Sequence, residues 1–509
     1  MKQYTSAGRI SSIETTSDTL TGRGGVALFA RYLSSIGLRA HLEARFGFIR
    51  KSVKGLDVWS LFVQVLCWLF DGTSPHVSYF DDLAKDEGYA ALLDHDVKRL
   101  ASSHAIKRFF KTLVFVKCVH LFRDVLGELF AWRLRRGHPQ VVELGIDTMV
   151  LDNDEAQKRH GVGPTYKKVK GYQPLHLTWN GKIVDVLFRG GSTSGNSGNG
   201  VVNMIRRNVG IIRKALGCET LIVFRVDAGF FDEAILDACN GLEVGLIVSG
   251  KMYESVKAIP RAVQAEDWSG YDNGHQCWQY VEFGWKCDCW KRFYRTFYTR
   301  VVYEDGQGML EFARPDNVIV TNLGVIPAVL ASCAPEVRAY WETPAAIIRS
   351  HHGRGAEELP HRGIKDFGFE ALPFKRFSPN AALYYCMAIG FFLFETYKED
   401  VLGPVLGEAL PASSYATRVR RKAVDFAAKL VRTGGRLILK VTRTVMASLR
   451  LEALWAQCQT PAPLPCPGAS QPRIILNMLY LSRAKCFLGR HITLFIYIYY
   501  SILALSHRS

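Results

Sequence analysis

The sequence predicts an α/β fold: a mixed sheet with helices, interrupted by a β-rich insertion and preceded by a helical N-terminal domain. Three observations carry that expectation. Between 139 and 249, five short runs of strand character are interleaved with helical patterns, as when helices cover a sheet. From 250 to 340 the chain becomes dense in aromatics and turns to period-two alternation, the strand signature. From 1 to 138, apolar residues recur at helical spacing. At 509 residues the chain is too long for one simple core, and two to four domains are expected.

In the N-terminal domain, 1–138, the helical pattern runs through Val26-Ala27-Leu28-Phe29 and Leu33, then from Val58 to Leu69. Leu100 to Val116 has Ser102 and Ser103 as candidate caps and mixes Lys107, Arg108 and Lys111 with Phe109 and Phe110. A basic amphipathic helix of this kind can lie on DNA; a helix of an ordinary core reads the same way.

The next segment, 139–249, opens with a β-rich run from Val141 to Val150 that contains Asp147. Pro174 to Trp179 and Lys182 to Phe188 read as two more strands, joined by the hairpin turn Asn180-Gly181. The glycine- and serine-rich loop Gly190 to Gly200 lacks the Gly-Lys-Ser/Thr ending of a phosphate-binding P-loop. A helix from Val201 to Leu216, a buried strand Leu221 to Val226 ending at Asp227, a short helix Phe230 to Cys239 and a strand Val244 to Val248 complete the segment. In such an order the first and fourth strands are expected to be neighbours.

In the insertion, 250–340, Phe293 to Arg300 alternates as a strand does, and Asp272-Asn273-Gly274 and Asp305-Gly306 mark hairpin turns. Its aromatics suit cross-strand pairing and, alternatively, stacking on unpaired bases. Helices resume after Pro344, including the strongly apolar Pro379 to Tyr397, so that 341–455 reads as the second part of the same core. From Arg418 to Arg450 there are ten Lys and Arg against one acidic residue, Asp425. Read as basic C-terminal helices, this stretch is the best candidate for a phosphate-backbone track. Residues 456–509 read as a proline-rich linker and a poorly ordered tail ending in the apolar run Ile492 to Leu505. Fourteen residues fall short of the roughly 20 that cross a bilayer, so no membrane association is expected.

The formal charge of +17 favours a polyanionic partner, of which nucleic acid is the commonest. The twelve cysteines are scattered without a C-x-x-C pair, and Cys287 and Cys289 form only a lone C-x-C, too little for a structural zinc site. Reduced thiols in a cytoplasmic protein are the economical reading. The first residues carry no apolar h-region, so no secretory signal is read.

Three carboxylates stand out: Asp147 within the first strand of the α/β segment, Asp227 at the end of the fourth, and Glu358 in Ser350 to Lys365. Glu357 is an alternative for the third. A carboxylate on a buried strand is costly unless something positive holds it, and hard divalent cations take oxygen ligands. Two such ions about 4 Å apart can activate an attacking hydroxyl and stabilise the leaving oxygen of a phosphodiester. Arg354 and Lys365 flank Glu358 at offsets of four and seven, which on a helix point the same way.

Asp147-Thr148, Arg225-Val226-Asp227-Ala228-Gly229-Phe230 and Arg354-x3-Glu358-x6-Lys365 together resemble the DDE transposases of bacterial insertion sequences. The last block is similar to the Y-x2-R-x3-E-x6-K signature of the insertion-sequence-four superfamily, with the family numbered thirteen-eighty the nearest group. The resemblance runs from about Asp18 to Arg450. It implies a ribonuclease H-like catalytic core, with Asp147, Asp227 and Glu358 as catalytic metal ligands for Mg²⁺ or Mn²⁺, two ions in all. It further implies Arg354 and Lys365 on DNA phosphates, with Arg225, His351 and Glu357 as further site candidates. The partners implied are double-stranded DNA with inverted terminal repeats and target DNA, cut and joined by a homodimer in the bacterial nucleoid. Two departures stand in the signature. His351 occupies the tyrosine position, and Pro360 and Gly363 fall where a regular helix is expected; a proline inside a helix kinks it. An inactive transposase-derived DNA-binding protein is therefore the alternative, and a nuclease without strand transfer another.

Overall fold

A computed structural model describes residues 12–49, 55–113, 116–193, 195–302 and 316–467. The chain divides into two units, Met1–Leu464 and Pro465–Ser509, and the elements named here belong to the first. The apolar run Ile492 to Leu505 and the turn at Asp305-Gly306 lie outside the described residues.

Among the described residues, nine strands form one mixed sheet. They are β1 (Val141–Thr148), β2 (Leu175–Trp179), β3 (Lys182–Leu187), β4 (Leu221–Val226), β5 (Gly245–Ser249), β6 (Ser269–Asp272), β7 (Cys277–Trp285), β8 (Tyr294–Val301) and β9 (Asn317–Thr321). Their spatial order is β6-β7-β8-β9-β5-β4-β1-β2-β3. β1 runs parallel to β4, and β4 to β5; the remaining pairs are antiparallel. The expected adjacency of the first and fourth strands is present, in register from Val141↔Leu221 to Ile146↔Val226.

Local chemistry explains these elements. Asn180 and Gly181 both have positive φ, 44° and 75°, the backbone of the tight turn that lets β2 fold back into β3. β2, β3, β4 and β5 are buried along almost their whole length, as near-continuous apolar runs must be when helices cover both faces. The insertion strands are not a detached layer. β9 pairs with β5 through Ile319↔Ser249, Val320↔Val248 and Thr321↔Ile247, so the insertion continues the sheet outward from its parallel edge.

Seven helices brace the sheet or carry site residues: α1 (Val58–Asp71), α2 (Val116–Gly137), α3 (Gly200–Leu216), α4 (Glu233–Gly241), α5 (Pro344–His352), α6 (Glu358–Phe367) and α7 (Phe377–Tyr397). α7 is apolar all round and packs against α1, α2, α6 and β3. By length and composition alone it could cross a membrane, yet it is largely buried inside the protein. The N-terminal region docks on it: Phe29 meets Tyr397 edge-on with ring centroids 5.5 Å apart, and the Tyr32 hydroxyl donates to Thr396 Oγ1 at 3.0 Å. In the helix Ser103–Thr112, Phe109 and Phe110 are buried while Lys107, Arg108 and Lys111 face outward. The Ser102 hydroxyl accepts from the Ala105 amide at 3.3 Å, so Ser102 is the N-cap.

Two segments differ from the sequence expectation. The basic stretch after Arg418 is helical only at its ends, Ala416–Val419 with Arg420–Val424 and then Arg443–Ser448; its middle is not. Ala428–Thr433 and Arg436–Lys440 form a β-hairpin, with Thr19–Thr21 as a third strand on its inner side. Gly434 and Gly435, at φ 52° and 74°, supply the two-residue turn, and the alternation on either side of it follows. A second small sheet, Leu151–Asp152, Gly163–Pro164 and Lys170–Tyr172, interrupts the path from β1 to β2. Its strands are too short to leave a periodic trace in the sequence.

Candidate active site

Parallel strands β1 and β4 end side by side, and each delivers an aspartate there. Asp147 is the penultimate residue of β1, and Asp227 follows β4 directly. Asp227 accepts from the Gly229 amide at 2.9 Å and so caps the short 3₁₀ turn Ala228–Phe230. Asp147 accepts from the Thr148 amide at 2.6 Å. Both line a cavity of about 750 Å³, together with Glu358, Arg354, Tyr166, Lys167, Gln173, Ser192 and Thr193. Burial pushes the Asp147 carboxyl up to about 6; the Thr148 amide opposes this, the nearby negative charge of Asp227 adds to it, Arg354 opposes it, and Glu358 adds to it.

Glu358 is the first residue of α6, at the mouth of the cavity, with its side chain 68% exposed and 3.7 Å from Arg362. Among the described residues, no three acidic, histidine or cysteine side chains already stand closed up as a metal cluster; the three carboxylates share a cavity rather than a single point. Glu357 ends the 3₁₀ turn Gly353–Glu357 that precedes α6. Arg354 lies in that turn, not on α6, so its offset of four from Glu358 is not a shared α-helical face. Lys365 is on α6 but turns to Glu370, with its Nζ 2.7 Å from Oε2, and does not line the cavity.

The two departures from the signature have local explanations. Pro360 is the third residue of α6, in the first turn, where an amide has no intrahelical acceptor and a proline costs little. It therefore does not break the helix, contrary to the kink expected. Gly363 is required by packing, since a Cβ there would lie 2.7 Å from Cζ of Phe391 on α7. His351 is the penultimate residue of α5 and does not line the cavity; its Nε2 is 2.9 Å from the Ser249 hydroxyl on β5. Burial, then the neighbouring His352, Arg354 and Arg225, lower its pKa to about 3.

Arg225 on β4 does not enter the cavity. Its Nη1 reaches Glu143 Oε2 and the Ser350 carbonyl, both at 3.3 Å, and the Ser350 hydroxyl donates to the same Glu143 oxygen at 2.6 Å. This knot ties β1 and β4 to the end of α5 and thus sets where the chain enters the Arg354–Glu358 segment.

Several residues that line the cavity or stand beside Asp147 have no counterpart in the sequence reading. The glycine- and serine-rich loop after β3, set aside as a P-loop, lines the site through Gly191, Ser192, Thr193 and Gly195. Arg189 holds it by donating to the Gly195 carbonyl at 2.7 Å, and Gln173 by donating to that of Thr193 at 3.3 Å. His361, one turn into α6, places Nδ1 3.9 Å from Asp147 Oδ2 and its ring 4.9 Å from that of His176. A loop rich in glycine directly after a strand was the available signal for the first; nothing in the spacing pointed to the second.

Clustered carboxylates at the ends of parallel strands, rimmed by cations, suit an enzyme that works on phosphodiesters. The chain belongs to the transposase DDE domain family: the family profile described as "Transposase DDE domain group 1" matches residues 6–460. The activity of that family is DNA transposition, carried out by DDE enzymes on DNA, generally with divalent metal ions. No curated protein matches the chain. Among solved structures it is similar to a piggyBac transposase in the cryo-EM synaptic complex with hairpin DNA, at 11% identity and a TM-score of 0.37, over 90% of each chain.

Proposed function

We propose that the protein cuts DNA at the inverted terminal repeats of its own mobile element and joins the freed 3′ ends to target DNA. In this reading it is an insertion-sequence transposase of the insertion-sequence-four superfamily, nearest to the family numbered thirteen-eighty. It acts as a homodimer in the bacterial nucleoid, because two element ends must be paired and two-fold assemblies suit that task. The order β3-β2-β1-β4-β5, with two parallel pairs and an antiparallel hairpin, supports a ribonuclease H-like core.

The observation that carries the reading is the convergence of Asp147, Asp227, Glu358 and Arg354 on one cavity. The donor set fits Mg²⁺ or Mn²⁺: it consists of carboxylate oxygens, and the half-buried Asp147 feels two other negative groups, a state that bound cations relieve. Asp147 and Asp227 would be the fixed ligands and Glu358 the mobile one, turning in from its exposed position. Two cations held there would supply an activated attacking oxygen and charge stabilisation on the leaving oxygen. Arg354 makes no hydrogen bond among the described residues and is positioned to hold a phosphate; Lys365 would exchange Glu370 for one.

Cleavage of a duplex made from the gene's own flanking DNA, in Mg²⁺, tests the assignment. Asp227→Ala should lower it by about 10³-fold or more, the scale of several kcal/mol lost from the transition state, with DNA binding retained. Undiminished cleavage by that variant would defeat the reading. Joined products on a supercoiled target plasmid separate a transposase from a nuclease.

A further inference from the structure

The small sheet between β1 and β2 projects a hairpin over the cavity. Its strands are Gly163–Pro164 and Lys170–Tyr172. Its tip is the turn Thr165-Tyr166-Lys167-Lys168, closed by the Lys168 amide donating to the Thr165 carbonyl at 3.0 Å and completed by Lys168 at φ 61°. The Thr165 amide and hydroxyl both donate to the Val169 carbonyl, at 3.0 and 2.8 Å.

The stem is held tightly. A Cβ on Gly171 would lie 2.0 Å from the Leu151 carbonyl oxygen, and one on Gly191 would lie 2.2 and 2.4 Å from the carbonyl oxygens of Gly163 and Gly171. Backbone therefore packs on backbone on two sides of the hairpin. The Tyr172 hydroxyl donates to the His160 carbonyl at 3.1 Å and accepts from Asn380 at 2.9 Å, fixing the arm to α7.

At the tip, Tyr166 lines the cavity yet is 58% exposed. Its hydroxyl donates to the carbonyl of Thr148, the residue after Asp147, at 3.3 Å. An aromatic ring this open is not filling a core. One tethered by its far end presents a face of fixed direction, and the exposed Lys167 stands over one side of the ring, its Nζ 5.9 Å from the ring centroid. A flat apolar face next to a lysine is what single-stranded DNA binds, the base by stacking and the phosphate by charge.

We infer that the Gly163–Tyr172 hairpin is a substrate-positioning arm, in which Tyr166 stacks on an unpaired base next to the cleaved phosphate and Lys167 holds a neighbouring phosphate. This rests on the proposed function and adds to it a requirement for a locally opened duplex. The hydroxyl tether sets the direction of the ring; stacking does the binding.

A forked duplex carrying 2-aminopurine at its first unpaired position tests this, with Ca²⁺ as the cation so that the probe is measured bound. The wild-type protein should quench the fluorophore. Tyr166→Phe should quench it too, with affinity within about 3-fold, because it keeps the ring. Tyr166→Ala should bind the fork about 5- to 150-fold more weakly, the span of base–aromatic stacking, without quenching; Tyr166→Leu serves the same comparison if the alanine variant does not fold. Lys167→Ala should weaken binding of every sequence alike and lower the salt slope by about one. Replacing the unpaired base by an abasic site should cost the wild type affinity and cost Tyr166→Ala nothing further. Equal quenching by the alanine and leucine variants, or the same abasic penalty in both backgrounds, overturns the inference. Asp227→Ala separates it from the functional reading: that variant should still quench while cutting nothing, and full cleavage by it would sink the reading and leave the stacking measurement standing.

Discussion

The two halves of the nine-stranded sheet are built differently. β2 to β5 lie under α3, α4 and α7 and are buried almost end to end, whereas β6 and β7 carry exposed or half-buried residues along nearly all their length. Both halves nevertheless contain the same device, an arginine clamping a carboxylate with two hydrogen bonds. In the covered half, Arg123 on α2 grips Asp185 on β3 at 2.7 and 2.6 Å, with both side chains at most 10% exposed. In the open half, Arg295 on β8 grips Glu282 on β7 at 2.5 and 3.1 Å, with Glu282 37% exposed. The arginines are similarly covered, 10% and 13% exposed, and the carboxylates are not, 2% against 37%; the two clamps should therefore differ in worth, since removing one partner of a buried pair strands the other charge while water screens a pair it can reach.

The largest effect is expected at the buried clamp. Asp185→Ala leaves Arg123 without its partner, also removes the acceptor of the Asn208 amide at 2.8 Å, and should cost about 3–5 kcal/mol in denaturant unfolding. A loss below about 1 kcal/mol would mean that the covered half is more hydrated than its burial says.

Next in size is a pH effect beneath the same half. Burial raises Glu395 on α7 to about 7, opposed by Lys398. Its folded value lies above the unfolded one, so the folded state holds the proton more tightly between about 4.5 and 7. The contribution is fully present at the acid end and is lost as pH rises through 7. Glu395→Gln should remove that slope, worth about 1–3 kcal/mol, and stability curves at pH 5 and pH 8 that stay as far apart as in the wild type would refute it. The smallest effect belongs to the open half: Glu282→Ala should cost at most about 1 kcal/mol, and less in high salt. A cost equal to that of Asp185→Ala would erase the distinction between the halves.

The same contrast governs what could be read from the sequence. The covered strands were legible because burial on two faces leaves an unbroken apolar run, as in Leu221 to Val226, and β1 and β4 as neighbours put Asp147 and Asp227 within reach of one cavity. The hairpin at 428–440 is obscured because Lys429, Arg432, Arg436 and Lys440 fall on both sides of its Gly434-Gly435 turn and dilute the apolar alternation. The arm bearing Tyr166 and Lys167 was invisible for another reason: two- and three-residue strands have no period, and what holds them is the absence of side chains at Gly171 and Gly191. Spacing alone also misjudged the signature block, where an arginine in a 3₁₀ turn and a glutamate opening the next helix are four residues apart without sharing an α-helical face.

The hydrogen-bonded join between β5 and β9 spans only three residue pairs, but it is not the whole of the contact between the halves. Tyr271 on β6 and Trp278 on β7 both lie against His352, the last residue of α5, Trp278 with ring centroids 4.3 Å apart, and Phe231, just after the Asp227 turn, lies 4.8 Å from Trp290. The outer edge therefore leans back on the chain at both sides of the site, as a buttress leans on its wall. Trimming β6 or β7 would withdraw that support two residues before Arg354.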